Sequence, residues 1–228
     1  MQYRAVATSV EGFVQQIACC YLRHGYWFYV TGRIPAGKDP LAVDAKLIAK
    51  YRIAVSESTR ARRKKTGHAN LQYLRFERFF VVLATKGQHR FHDEEYEQIR
   101  DMRRVPLTFA GYSISYRRGG RTRDGQTDPS WHAHVRIERR QQLELVAHLS
   151  ELAKCRAPES VANAIYNLPL EPYAPIRRQL LIILRHVNRQ RQAMGYAPLP
   201  LDVLPLRRRV VRPFAIERDR QDGVSVRG

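Results

Sequence analysis

From Trp131 to Glu138 the chain alternates, with Ala133, Val135 and Ile137 apolar and His132, His134, Arg136 and Glu138 polar. A period of two marks a half-buried β-strand, whose side chains switch faces at every residue. Such a strand needs a sheet for its backbone and a core for one face. The same period puts His132, His134, Arg136 and Glu138 on one face, with the two imidazoles about 7 Å apart along the strand. Two rings so placed can reach one metal ion or one phosphate.

The other elements follow from local pattern. Val10 to Leu22 has apolar residues at helical spacing and ends at His24-Gly25. Tyr26 to Thr31 is aromatic and β-branched, which suits a strand buried on both faces or a platform on which bases stack. Asp39 is placed to cap a helix opening at Pro40 and running through Tyr51. Phe79 to Thr85 is a continuous apolar run, the pattern of a central strand. Asp93 to Arg104 has acidic residues at its start and arginines at its end and predicts a helix stopped by Pro106. Leu107 to Arg117 predicts one strand, followed by a basic glycine-rich turn, Arg118 to Gly125, that leads into the His132 strand. Helices are predicted over Arg139 to Lys154, Glu159 to Asn167 and Pro175 to Met194, the last ended by Gly195. The expected fold is α+β, an antiparallel sheet of about four to five strands with helices on one face. Residues 1–214 are expected to form one domain and 215–228 a charged, flexible tail.

Charge supplies the functional argument. The 228 residues carry 40 Lys and Arg against 21 Asp and Glu, a formal net charge of +19, and arginines far outnumber lysines. So large an excess repels itself unless a polyanion is near, and guanidinium groups bind phosphate through two parallel hydrogen bonds. Nucleic acid is therefore the expected partner, single-stranded DNA or structured RNA. A packaging or ribosomal protein that only neutralises phosphate would share this composition, as would a chain from a GC-rich genome. The densest cluster is Arg60, Arg62, Arg63, Lys64 and Lys65, a phosphate-tracking segment or else a solvated charged face. Arg117, Arg118, Arg121, Arg123, Arg136, Arg177, Arg178, Arg207, Arg208 and Arg209 extend the basic set. No apolar run approaches the roughly 20 residues that a spanning helix needs, so no membrane partner is expected. Cys19, Cys20 and Cys155 have no metal-type spacing, and the adjacent pair reads as reduced core residues, which points to cytoplasm or nucleoid.

The segment from Phe79 to Glu138 resembles the core of HUH-type single-strand endonucleases: replication initiators, relaxases and single-tyrosine transposases. The likeness rests on an apolar strand ending in Ala84-Thr85, a basic-aromatic turn, a helix, a strand, and then His132-Ala133-His134. It covers about 40% of the chain when the following helices are included, and Arg118 to Ser130 is an insertion relative to that family. The resemblance implies that His132 and His134 hold Mg²⁺ or Mn²⁺ against the scissile phosphate, with His89, His92 or Glu138 as a third ligand. It also implies a nucleophilic tyrosine on a later helix, for which Tyr173, Tyr166 and Tyr196 are candidates. Two readings from the residues alone stand beside it. Paired histidines can cleave RNA without metal, as general base and acid, with Arg136 or Arg117 steadying the phosphorane. A chain basic along its whole length also suits a non-catalytic subunit of a ribonucleoprotein or mobile-element complex.

Overall fold

The apolar run at Phe79–Ala84 is the inner strand its composition predicts, buried from Val81 to Ala84. This strand, β3, lies between Leu71–Phe76 (β2) and Phe28–Arg33 (β1), antiparallel to both, with Val82 opposite Val30 on one side and Tyr73 on the other. Arg100–Asp101 (β4) pairs with the start of β1, completing the order β2-β3-β1-β4. A second antiparallel sheet has the order β5-β6-β7, from Leu107–Phe109, Tyr112–Arg118 and Trp131–Ile137. The computed structural model describes residues 3–120, 124–126 and 128–215. The α+β class with antiparallel strands is thus observed, in one four-stranded and one three-stranded sheet.

The chain divides into two compact units. The first gathers the described residues of Met1–Pro106, Ser115–Ala133 and Val211–Gly228, and the second those of Leu107–Ile114 and His134–Val210. In the first unit, α1 (Val10–Gln15) is capped by Ser9 and continues as a π-helix over Gln16–Tyr21 and a 3₁₀ turn over Leu22–His24. Gly25, at φ 90°, ends it as expected. The i→i+5 bonding breaks the period that had put both thiols on the apolar face, and Cys20 is exposed where a core residue was expected. Pro40–Lys50 (α2) starts under the Asp39 carboxylate, which accepts from Leu41 N and Ala42 N at 3.1 Å each.

A buried ion pair fastens α2 to β2. Asp44 takes the Arg75 guanidinium at 2.8 Å from both Nε and Nη2, and the Tyr73 hydroxyl at 2.5 Å. Both charged residues are under 7% exposed, a burial tolerated because each polar atom has a partner. Around them lies the core of Val30, Tyr51, Ile53, Leu71, Val82 and Phe91. The C-terminal strand of chain at Val211–Pro213 straps α1: Thr8 N donates to Pro213 O at 3.0 Å and Gln15 Nε2 to Val211 O at 2.7 Å. Gly12 seats that strap, since a Cβ there would stand 2.9 Å from Pro213 Cα.

The basic cluster, readable as a loop or a helix end, lies at the end of a helix, Glu57–Lys65 (α3), started by the Ser56 hydroxyl accepting from Thr59 N. Two expectations change. The helix expected over Asp93 to Arg104 is instead a short α4 (Arg90–Glu94), a turn and β4, because the Asp101 carboxylate binds Arg103 while its backbone pairs with β1. The single strand expected over Leu107 to Arg117 is folded into β5 and β6 at Ala110 and Gly111, whose φ values of 45° and 80° make a turn of the kind that suits tight hairpins.

The second unit holds three helices at the expected places: α5 (Arg139–Ala153), α6 (Glu159–Tyr166) and α7 (Ala174–Ala193), with α5 packed on both others. Their inner faces carry Leu145, Leu149, Val161, Ile165, Leu180 and Leu184. Gln179 of α7 ties β7 in, accepting from Ile137 N at 2.9 Å and donating to Gln142 Oε1 at 2.6 Å. Arg191, 1% exposed, donates to the carbonyls of Cys155, Arg156 and Ala197 and so closes the end of α5. The segment beyond Ala215, expected to be a tail, lies outside the described residues.

Candidate nucleic-acid interface

Alternation along β6 puts Tyr116 and Arg118 on one face, and Trp131, at the start of β7, lies beside them. Trp131 stacks on Tyr116 with ring centroids 5.7 Å apart and planes 21° from parallel. Tyr116 stacks in turn on Trp27, which immediately precedes β1, at 5.9 Å and 24°. A guanidinium stands at each end: Arg103 Cζ is 4.3 Å from the Trp27 ring and Arg118 Cζ is 5.8 Å from the Trp131 ring. Arg103 is fixed by Asp101, which accepts its Nη2 at 2.7 Å and its Nε at 3.0 Å. Burial pushes the Asp101 carboxyl up, but the Arg103 guanidinium and backbone N–H outweigh it and hold the group below its usual value. The column is graded in exposure. Tyr116 is 9% exposed and Trp131 is 38% exposed, so the outermost ring offers apolar surface to a ligand.

Among the described residues between these strands, Asp128 is a hydrogen-bonding centre. Its Oδ1 accepts from Ser130 N and its Oδ2 from His132 Nε2, both at 2.8 Å. The Ser130 amide first, and His132 second, lower the Asp128 carboxyl to about 2. Asp128 is therefore an acceptor only, and His132 Nε2 donates the shared proton. Gly119 N donates to Ser130 O at 2.6 Å, and only glycine fits there, since a Cβ would stand 2.4 Å from Asp128 Oδ2. His132 is exposed and held at its far edge, next in sequence to the Trp131 ring.

The remaining candidates are scattered over other tasks. His134 is half-buried, between the part-buried Ala133 and the buried Val135, and Arg136 is exposed. Glu138 caps α5, accepting from Gln141 N at 3.0 Å, and the Gln141 and Arg140 amides hold its carboxyl low. His89 caps α4 through Nδ1, which accepts from Phe91 N at 3.1 Å, while His92 Nε2 lies 3.2 Å from Thr85 O. Burial, with Arg63 and His92 nearby, pushes the His89 imidazole below its ordinary value. Among the described residues no group of three or more His, Cys, Asp or Glu side chains is gathered as a metal site would require. Tyr173 is the N-cap residue of α7, with Arg208 Cζ 5.0 Å over its ring, and Tyr166 is 61% exposed on α6.

The cations separate into two kinds. Arg60 donates to Leu71 O and Ile53 O at 3.1 Å each, and Arg63 to Arg52 O at 3.4 Å, so both staple backbone. Arg62, Lys64 and Lys65 are exposed on α3, as are Arg117 and Arg118 on β6, Arg177 and Arg178 on α7, and Arg207 and Arg209. Arg121 and Arg123 lie outside the described residues. Of the aromatic run proposed as a platform, Tyr26 and Tyr29 are buried at 7% and 3%, and Trp27 joins the column. Arg103 and Trp131 were not singled out from sequence. The available signal was an aromatic at each arm of the expected hairpin, Tyr116 and Trp131. No known family model matches the chain, and no curated protein matches it.

Proposed function

We propose that the chain binds nucleic acid by stacking an unpaired base on Trp131 and holding the adjoining phosphates with Arg118 and the exposed cations of α3. The observation that carries this reading is the column Arg103–Trp27–Tyr116–Trp131–Arg118. A base is an aromatic plate, and it extends the column in place of the Arg118 guanidinium, which is then released to pair with phosphate. Base–aromatic stacking contributes about 1–3 kcal/mol per base, and the +19 charge adds the sequence-independent attraction. The ligand class is single-stranded DNA or an unpaired stretch of RNA, because bases inside a duplex present no free face.

The test is anisotropy with a labelled single strand of about 12 nucleotides, within the span of one such site. Trp131→Ala is expected to weaken binding about 10-fold and Trp131→Phe much less. Unchanged affinity in Trp131→Ala would remove the reading.

The His132–Asp128 pair favours a second reading, metal-independent RNA cleavage. His132 Nδ1 takes the ribose 2′-hydroxyl proton, the 2′-oxygen attacks the adjacent phosphorus, and the P–O5′ bond breaks to leave a 2′,3′-cyclic phosphate. Water protonates the departing 5′-oxygen. Cleavage of RNA but not DNA in EDTA, lost in His132→Ala, is the expected result, and intact RNA would refute it. A covalent adduct with single-stranded DNA in Mn²⁺, lost in Tyr173→Phe, would point to strand transfer in place of both.

A further inference from the structure

We infer that α7 is a reading helix for the major groove of duplex DNA, a second nucleic-acid site in the other unit that uses none of the column's residues. Arg178, Ile182, Arg185, Arg189 and Gln192 recur at steps of four, three, four and three, so they form one stripe along the exposed face of α7. The stripe is free of carboxylates: α7 contains no acidic residue, and among the described residues no ion pair holds Arg178, Arg185 or Arg189. Ile182, 58% exposed, Arg185, Asn188, Arg189 and Gln192 line an open depression of about 510 Å³. Asn188 is occupied, exchanging hydrogen bonds of 2.9 and 2.8 Å with the backbone of Leu199, and so holds the rim in place.

The chemistry of the stripe selects the partner. A merely phosphate-binding face needs only charge, whereas this one sets an amide and a branched alkyl group among the guanidiniums. Arginine matches the two acceptors of guanine, glutamine matches adenine, and an alkyl side chain fits against the thymine methyl. From Ile182 to Gln192 the face runs about 15 Å, a length that crosses several base edges, on a helix about 10–12 Å thick. The major groove of B-form DNA, about 12 Å wide, admits such a helix, whereas that of A-form RNA is too narrow.

The experiment is selection of a duplex from a randomised pool by the full chain, followed by anisotropy on the chosen and scrambled duplexes. Arg189→Ala and Gln192→Ala are expected to lose on the order of 10- to 100-fold on the chosen sequence and much less on the scrambled one. Arg185→Lys, which keeps the charge but not the paired donors, is expected to hold scrambled DNA normally and lose the preference. No enriched sequence, equal losses on both duplexes, or equal affinity of the wild type for an RNA duplex would overturn the inference. The read-outs are separate, since sequence choice on duplex DNA tests this helix and single-strand affinity tests the column.

Discussion

Arginine serves two purposes in this chain, and only one of them is available to a ligand. Arg75, Arg60 and Arg191 are occupied by a carboxylate or by backbone carbonyls, so counting basic residues overstates the charge offered to a phosphate. Removing the partner of the buried one has a defined cost. Asp44→Ala leaves the Arg75 guanidinium buried and unpaired and is expected to destabilise by about 3–5 kcal/mol in urea unfolding, whereas Asp44→Leu with Arg75→Met is expected to recover most of the loss. His89 makes stability depend on pH. Its folded pKa lies below the ordinary 6.5, so on acidification the unfolded chain takes up the proton first. This contribution is complete above pH 6.5 and is lost as pH falls toward the folded value. Melting curves at falling pH are expected to decline more steeply for the wild type than for His89→Gln, and parallel declines would contradict this.

Among the elements, those with a cap and an apolar stripe were legible from sequence. Asp39-Pro40 marks the start of α2, and Gly195 the end of α7, because these residues satisfy helix ends in ways others do not. β2 was hidden because the polar Arg75 interrupts its pattern, and only Asp44, 31 residues earlier, makes that burial tolerable. Asp93 to Arg104 carried helix-like charge polarity, but local polarity is a weak force beside strand pairing to β1. The aromatic column could not be read, since its rings come from positions 27, 116 and 131 and no local pattern unites them. The β5–β6 turn yields a prediction of its own. Ala110 sits at φ 45°, a conformation that costs a Cβ-bearing residue about 1–2 kcal/mol. Ala110→Gly relieves that strain and gives back part of it as unfolded-chain entropy, so a net gain of about 0.5 kcal/mol is expected in denaturant midpoints. A loss of stability would show the turn to be unstrained.

For the molecule as a whole, the +19 charge makes salt the natural control variable. Among the described residues no helix is long and apolar enough to cross a membrane. Single-strand affinity is expected to fall linearly on a logarithmic salt axis, and neutralising Arg62, Lys64 and Lys65 together should flatten that slope by about two. The sequence contains only two tryptophans, and both belong to the column, so its own emission reports on it. The most direct measurement is tryptophan fluorescence during titration with a single-stranded oligonucleotide, for the wild type, Trp27→Phe and Trp131→Phe. Saturable quenching that persists in Trp27→Phe and vanishes in Trp131→Phe is the expected result. Binding seen by anisotropy with the Trp131 emission unchanged would contradict base stacking at this site.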